Sequence, residues 1–110
     1  MSYIYEHVNV VRVIDGDTVE MEVDMGNHIR WRAHFRLRGI NAPEMKTAAG
    51  PDAKAFLERL IGCGVARAQT FKPDKYGRWL VDIWTACEGG GDRSVNQAMI
   101  GAGHAVAYMQ

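Results

Sequence analysis

From 18 to 25 apolar and polar residues alternate strictly, with Val19, Met21, Val23 and Met25 against Thr18, Glu20, Glu22 and Asp24. Side chains of an extended chain point alternately to opposite faces, so this spacing predicts a half-buried strand. The stretch before it, 8–14 (VNVVRVI), is rich in β-branched residues, which favour strands. The Asp-Gly-Asp between the two has turn chemistry, with Gly16 free to take a positive φ, so a hairpin is predicted. A second alternation follows, with Ile29, Trp31, Ala33, Phe35 and Leu37 against Arg30, Arg32, His34, Arg36 and Arg38. It predicts a long strand with an apolar core face and a basic outer face.

The period changes after Gly50, where Ala53, Phe56, Leu57 and Leu60 recur at helical spacing and Gly62 closes the run. An amphipathic helix is expected over 51–61. Strands at 65–71 and 79–85 follow, joined by the turn-like KPDKYG, and the glycine run 89–91 then breaks the chain. Ser94 and Gln97 have capping-box spacing ahead of Val95, Ala98, Met99 and Ala102, which predicts a short second helix. Five strands with a helix after the third suit a small closed or partly open barrel of the OB type, mainly β with two short helices. An open α+β sandwich is the alternative.

The chain has 110 residues, 47% hydrophobic and 24% charged, the mix of one soluble globular domain spanning 1–110. No apolar run reaches the roughly 20 residues that span a bilayer, and the start MSYIYEHVNV lacks the pattern of a signal peptide. A membrane role is therefore not expected. Cytoplasmic residence is favoured, with a secreted or periplasmic location as the alternative if an export signal was trimmed. Cys63 and Cys87 have neither zinc-site spacing nor disulfide-scaffold density, so free thiols and a reducing compartment are expected. Formal net charge is zero, so attraction to a polyanion has to come from local arrangement. The four histidines are scattered, which argues against a zinc enzyme, and no serine or cysteine lies near a plausible base.

Asp17, Arg36, Glu44 and Arg78 sit at strand ends or turns, where side chains can converge. Each has a bland reading: a hairpin turn for Asp-Gly-Asp, a solvated strand face for the arginines, a proline turn for Asn-Ala-Pro-Glu. Together they suit phosphodiester chemistry, which needs cationic forks on phosphate oxygens, a carboxylate to take a proton from water, and a hard divalent cation.

VIDGDTV at 13–19, FRLRGINAPE at 35–44, DKYGR at 74–78 and VNQAMIGAGHAVAY at 95–108 resemble, in order and interval, the staphylococcal nuclease (thermonuclease) family. The resemblance implies an OB-fold barrel and a calcium-dependent endonuclease acting on DNA and RNA with little sequence preference. In that family water attacks phosphorus, the bond to the 5′ oxygen breaks, and a 3′-phosphate remains. Carried over, Glu44 is the general base or orients the water, and Arg36 and Arg78 hold the phosphate, Arg78 nearer the leaving oxygen. The metal ligands implied are Asp17, Asn41 and the backbone carbonyl of Ala42, with calcium expected and manganese or magnesium as alternatives. Lys75, Tyr76 and Tyr108 match positions that contact the nucleotide.

Asn41 departs from the aspartate usual in the family, which removes one negative charge and predicts weak metal binding. The loop MKTAAGPDA is shorter and less basic than in well-known relatives, so long-range capture of nucleic acid is expected to be weaker. The chain stops at Gln110, where family members often continue into a third helix: trimming, or a member that manages without it. A monomer is expected. The competing functions are a catalytically weak or inactive nucleic-acid binding module on the same barrel, and a structural or interaction barrel with accidental motifs.

Overall fold

The computed structural model describes residues 2–86 and 93–109, so the glycine run and Cys87 lie outside the described residues. The strands are β1 (Tyr3–Tyr5), β2 (Val8–Asp15), β3 (Thr18–Asp24), β4 (Arg30–Leu37), β5 (Ile40–Asn41), β6 (Val65–Pro73), β7 (Trp79–Thr85), β8 (Arg93–Ser94) and β9 (Val106–Ala107). Helix α1 (Ala49–Ile61) lies between β5 and β6, and α2 (Val95–Gly101) between β8 and β9. The five long strands and two helices are those the periodicity predicts. Short β1, β5, β8 and β9 carry too few residues to show a period.

The main sheet runs β1-β6-β7-β4-β3-β2, with β8 on β7, and β5 pairs with β9 separately. Strand β2 also packs against β6, so the sheet curls back on itself as an OB-like barrel does. Strands β4 and β7 are parallel, with Phe35 opposite Trp79, Arg36 opposite Leu80 and Leu37 opposite Val81. Parallel neighbours need a long crossover, supplied here by β5, α1 and β6.

The interior follows the predicted alternation. Val19, Met21 and Val23 of β3, Phe35 and Leu37 of β4, and Val81 and Ile83 of β7 are fully buried. Burying one such side chain contributes about 1.5–3 kcal/mol. Met25 and Ile29, beyond the strand ends, are exposed. On the outer face Arg12 binds Glu20 at 2.7 Å, while Arg30 and Arg32 reach Glu22 at 3.5 and 3.7 Å. The Arg12 hydrogen bond holds the Glu20 carboxyl below its ordinary range. This part of the basic stripe is a balanced, solvated face.

Helix α1 starts two residues earlier than predicted, with Ala48 before it and no side-chain cap. It buries Gly50, Ala53, Leu57, Leu60 and Ile61. In α2 the Ser94 hydroxyl accepts from the Gln97 N–H at 3.2 Å, and Val95 and Met99 are fully buried. Asn96, which periodicity left out, is also buried, and its amide bonds Ile83 N, Arg38 O and Val81 O, pinning α2 to β7.

Two expectations need correcting. Gly16 is not among the residues at positive φ. It is needed for space, because a Cβ there would lie 2.7 Å from Ala42 Cβ and 2.8 Å from Ala53 Cβ. Cys63 is disulfide-bonded, which overturns the free-thiol expectation. Spacing along the chain carries no information on which cysteines the fold brings together.

Candidate active site

The close approach at Gly16 seats the β2–β3 turn against the chain that leaves β5. Asp17 Oδ2 accepts the Ala42 N–H at 3.0 Å, and Asp17 N donates to Asp15 Oδ1 at 3.1 Å. Arg36 reaches the same cluster: its Nη2 donates to Asn41 Oδ1 and to the Ile40 carbonyl, both at 3.1 Å, and lies 3.5 Å from Asp17 Oδ2. Thus Asp17, Arg36, Asn41 and Ala42 are joined by direct contacts. Arg36 is only 7% exposed, unlike the other cations of β4, because β7, β5 and the Tyr108 ring cover it.

Burial pushes the Asp17 carboxyl above its ordinary pKa. The Asp15 carboxyl adds to the rise, while the Ala42 N–H and the Arg36 charge pull the other way. Asp15 belongs to the quoted motif but was not singled out. Its signal was the Asp-x-Asp spacing across a tight turn.

Arg78 is organised by Asp74. Oδ1 of Asp74 accepts from Tyr76 N at 2.9 Å and Arg78 N at 3.0 Å, and Oδ2 faces Arg78 Nε at 3.1 Å and Nη2 at 2.9 Å. Burial raises the Asp74 pKa, but these hydrogen bonds and the Arg78 charge outweigh it and hold the carboxyl below its usual value. Sequence reasoning overlooked Asp74, although Pro-Asp followed by Gly is the pattern of a side-chain-closed turn. The turn lifts Tyr76 into solvent at 71% exposure, with Lys75 and Arg78 each against its ring.

Because β4 and β7 run parallel, Arg36 and Arg78 wall one hollow of about 410 Å³. Lys75, Tyr76 and Tyr108 line it too. Tyr108 is placed by the β5–β9 ladder and by its N–H on the Gly39 carbonyl at 2.8 Å. The bonds described for Arg36 all engage Nη2, and those for Arg78 engage Nε and Nη2. Among the described residues no bond to Nη1 of either guanidinium group is found.

Glu44 is not among the residues that line this hollow. Its carbonyl accepts from Thr47 N and Oγ1, and its carboxylate, 70% exposed, pairs with Lys46 at 3.2 Å. A Cβ on Gly50 would collide with the Glu44 carbonyl and the Met45 Cα, so the first turn of α1 holds the Glu44 backbone close. Among the histidines, His104 is half-buried and stacked on Phe56.

Among the described residues no cluster of three or more His, Cys, Asp or Glu could hold a metal. What the site offers is hard oxygen: the Asp17 carboxylate and the Asn41 amide oxygen, both within reach of Arg36. Such oxygen donors suit a hard cation of the calcium or magnesium kind in their chemistry and do not suit zinc.

The curled, OB-like sheet of seven strands carries Arg36 and Arg78 on one hollow, each paired with a carboxylate. The family model described as "Staphylococcal nuclease homologue" matches residues 34–110. The chain belongs to the staphylococcal nuclease family. It is 36% identical over 104 residues, 94% of its length, to an "Uncharacterized endonuclease" of Escherichia coli O157:H7, covering 62% of that protein. It is 31% identical over 103 residues to a "Micrococcal nuclease" of Shigella flexneri, with 90% of this chain and 56% of that one aligned. A "Probable staphylococcal-like nuclease CAN2" of Oryza sativa subsp. japonica is 32% identical over 71 residues, 64% of this chain and 18% of its own. The chain thus spans less than two thirds of these curated relatives.

Proposed function

We propose that this chain is a metal-dependent endonuclease, acting as a monomer, that hydrolyses phosphodiester bonds of DNA and RNA with little sequence preference and leaves 3′-phosphates. The observation that carries the reading is the convergence of Arg36 and Arg78 on one hollow, each braced from behind by a carboxylate. Bracing fixes the planes of the two guanidinium forks, so little ordering is required when phosphate arrives.

In this reading the two forks grip the non-bridging oxygens of the scissile phosphate and stabilise the extra charge of the transition state. Glu44 takes a proton from water or orients it as the water oxygen attacks phosphorus. The bond to the 5′ oxygen breaks, with Arg78 nearer that leaving oxygen. The exposed Glu44 carboxylate has to leave Lys46 to do this, a change of rotamer on the surface. Lys75, Tyr76 and Tyr108 hold the nucleotide at the rim. Asp17, Asn41 and the Ala42 carbonyl would hold calcium, or manganese or magnesium, and a hard cation bound there supplies charge neutralisation to the phosphate.

The alternative, a binding module with weak or no catalysis, draws on Asn41 and on the Glu44–Lys46 pair. Digestion of denatured DNA with calcium, with a chelator and with Glu44→Gln separates the two. Cleavage that stops with chelator and falls about a hundredfold or more in the variant is the expected result. Retained binding with no cleavage under any metal would establish the module instead.

A further inference from the structure

The outward face that carries Arg36 continues past the candidate active site. Arg38 follows at the same-face spacing of two, and across the ladders Leu80, Asp82 and Trp84 of β7 and Phe71 of β6 share that face. With Lys72 they wall a second hollow of about 790 Å³. The two hollows share Lys72 and Leu80, so they form one continuous surface.

The side chains there are arranged as a platform. The Arg38 guanidinium lies 4.0 Å from the centre of the Phe71 ring, and Asp82 holds its Nη2 at 2.9 Å. The side chain is about half exposed (48%). Nucleic-acid bases stack on guanidinium planes as they do on aromatic rings, and a backbone phosphate needs a nearby cation, here Lys72. Neither residue takes part in the chemistry described above.

We propose that this hollow is a second nucleotide subsite. It holds a single-stranded polynucleotide next to the scissile nucleotide, one base stacked on the Arg38 plane that Phe71 supports and the adjoining phosphate on Lys72. Single strands fit because a base paired in a duplex cannot turn its face to the platform. The inference rests on the phosphodiesterase reading for the position of the scissile bond.

Two variants test it: Arg38→Lys keeps the charge and removes the plane, and Phe71→Leu keeps apolar bulk and removes the ring. Each should raise KM for a single-stranded decamer about tenfold, the scale of one lost base stack, while a dinucleotide is cut as by the native chain. Equal effects on both substrates, or none on the decamer, would overturn the subsite. So would an equal loss on a duplex of the same sequence. Fluorescence anisotropy of the labelled decamer in chelator separates the two readings. If the native chain binds in chelator but does not cut when calcium, manganese or magnesium is restored, the nuclease reading falls, and an unchanged Kd in the variants still sinks the subsite. Tenfold weaker binding in both variants supports it.

Discussion

Arg36 occupies an even position on β4, where the other even positions, Arg30, Arg32 and His34, are solvent-exposed, yet it is buried. A buried charge is tolerated only with close partners, and Asp17, Asn41 and the Ile40 carbonyl supply them. Asn41 brings an oxygen without a charge. Replacing it by Asp adds the missing charge, so Asn41→Asp should lower the calcium needed for half-maximal cleavage by about tenfold. Unchanged or weaker apparent affinity in a calcium titration would count against that assignment. Asp74 offers a pH test. Its pKa is lowered in the folded chain, so its contribution to stability is complete above the unfolded value of about 3.9 and is lost as pH falls through the folded value. Asp74→Asn should therefore flatten the loss of stability below about pH 4, read from urea midpoints at successive pH values. An identical pH slope in both proteins would contradict it.

The elements place these residues through close contacts more than through propensity. Helix α1 presses its first turn on the Glu44 backbone, and Gly50 is the point of contact. Gly50→Ala should cost about 1–3 kcal/mol by overpacking and lower kcat by displacing Glu44. Gly101→Ala is the internal control: it sits in α2 with nothing within 4 Å of the added Cβ, so unfolding should be unchanged or slightly harder. Urea unfolding and cleavage rates on both variants decide it, and a Gly50→Ala protein as stable and active as the parent would refute the role. Gly50 was legible as a helix boundary, but its role as a contact was not, because sequence gives no distance between a turn and the helix after it. The same holds for Gly16, where turn chemistry suggested backbone freedom and the fold instead required space.

At the scale of the whole molecule, charge is balanced in sum and unequal in place. Arg12, Arg30 and Arg32 face glutamates on one side of the barrel, while Arg36, Arg78, Lys75, Lys72 and Arg38 gather around two connected hollows on another. Composition reported only the zero. The chain's own periodicities determined the five long strands, the β2–β3 hairpin, both helices and the Ser94 cap, because these depend on neighbours two to four residues away. Four ordered motifs likewise carried the family. Tertiary structure alone decided that β4 lies parallel to β7, that β9 returns to β5 with Tyr108, that Arg36 is buried, and that Cys63 is bonded. It also decided that Glu44 pairs with Lys46 and does not line the arginines' hollow. Local pattern fixes which face a side chain takes; only the packing of distant segments fixes what that face meets.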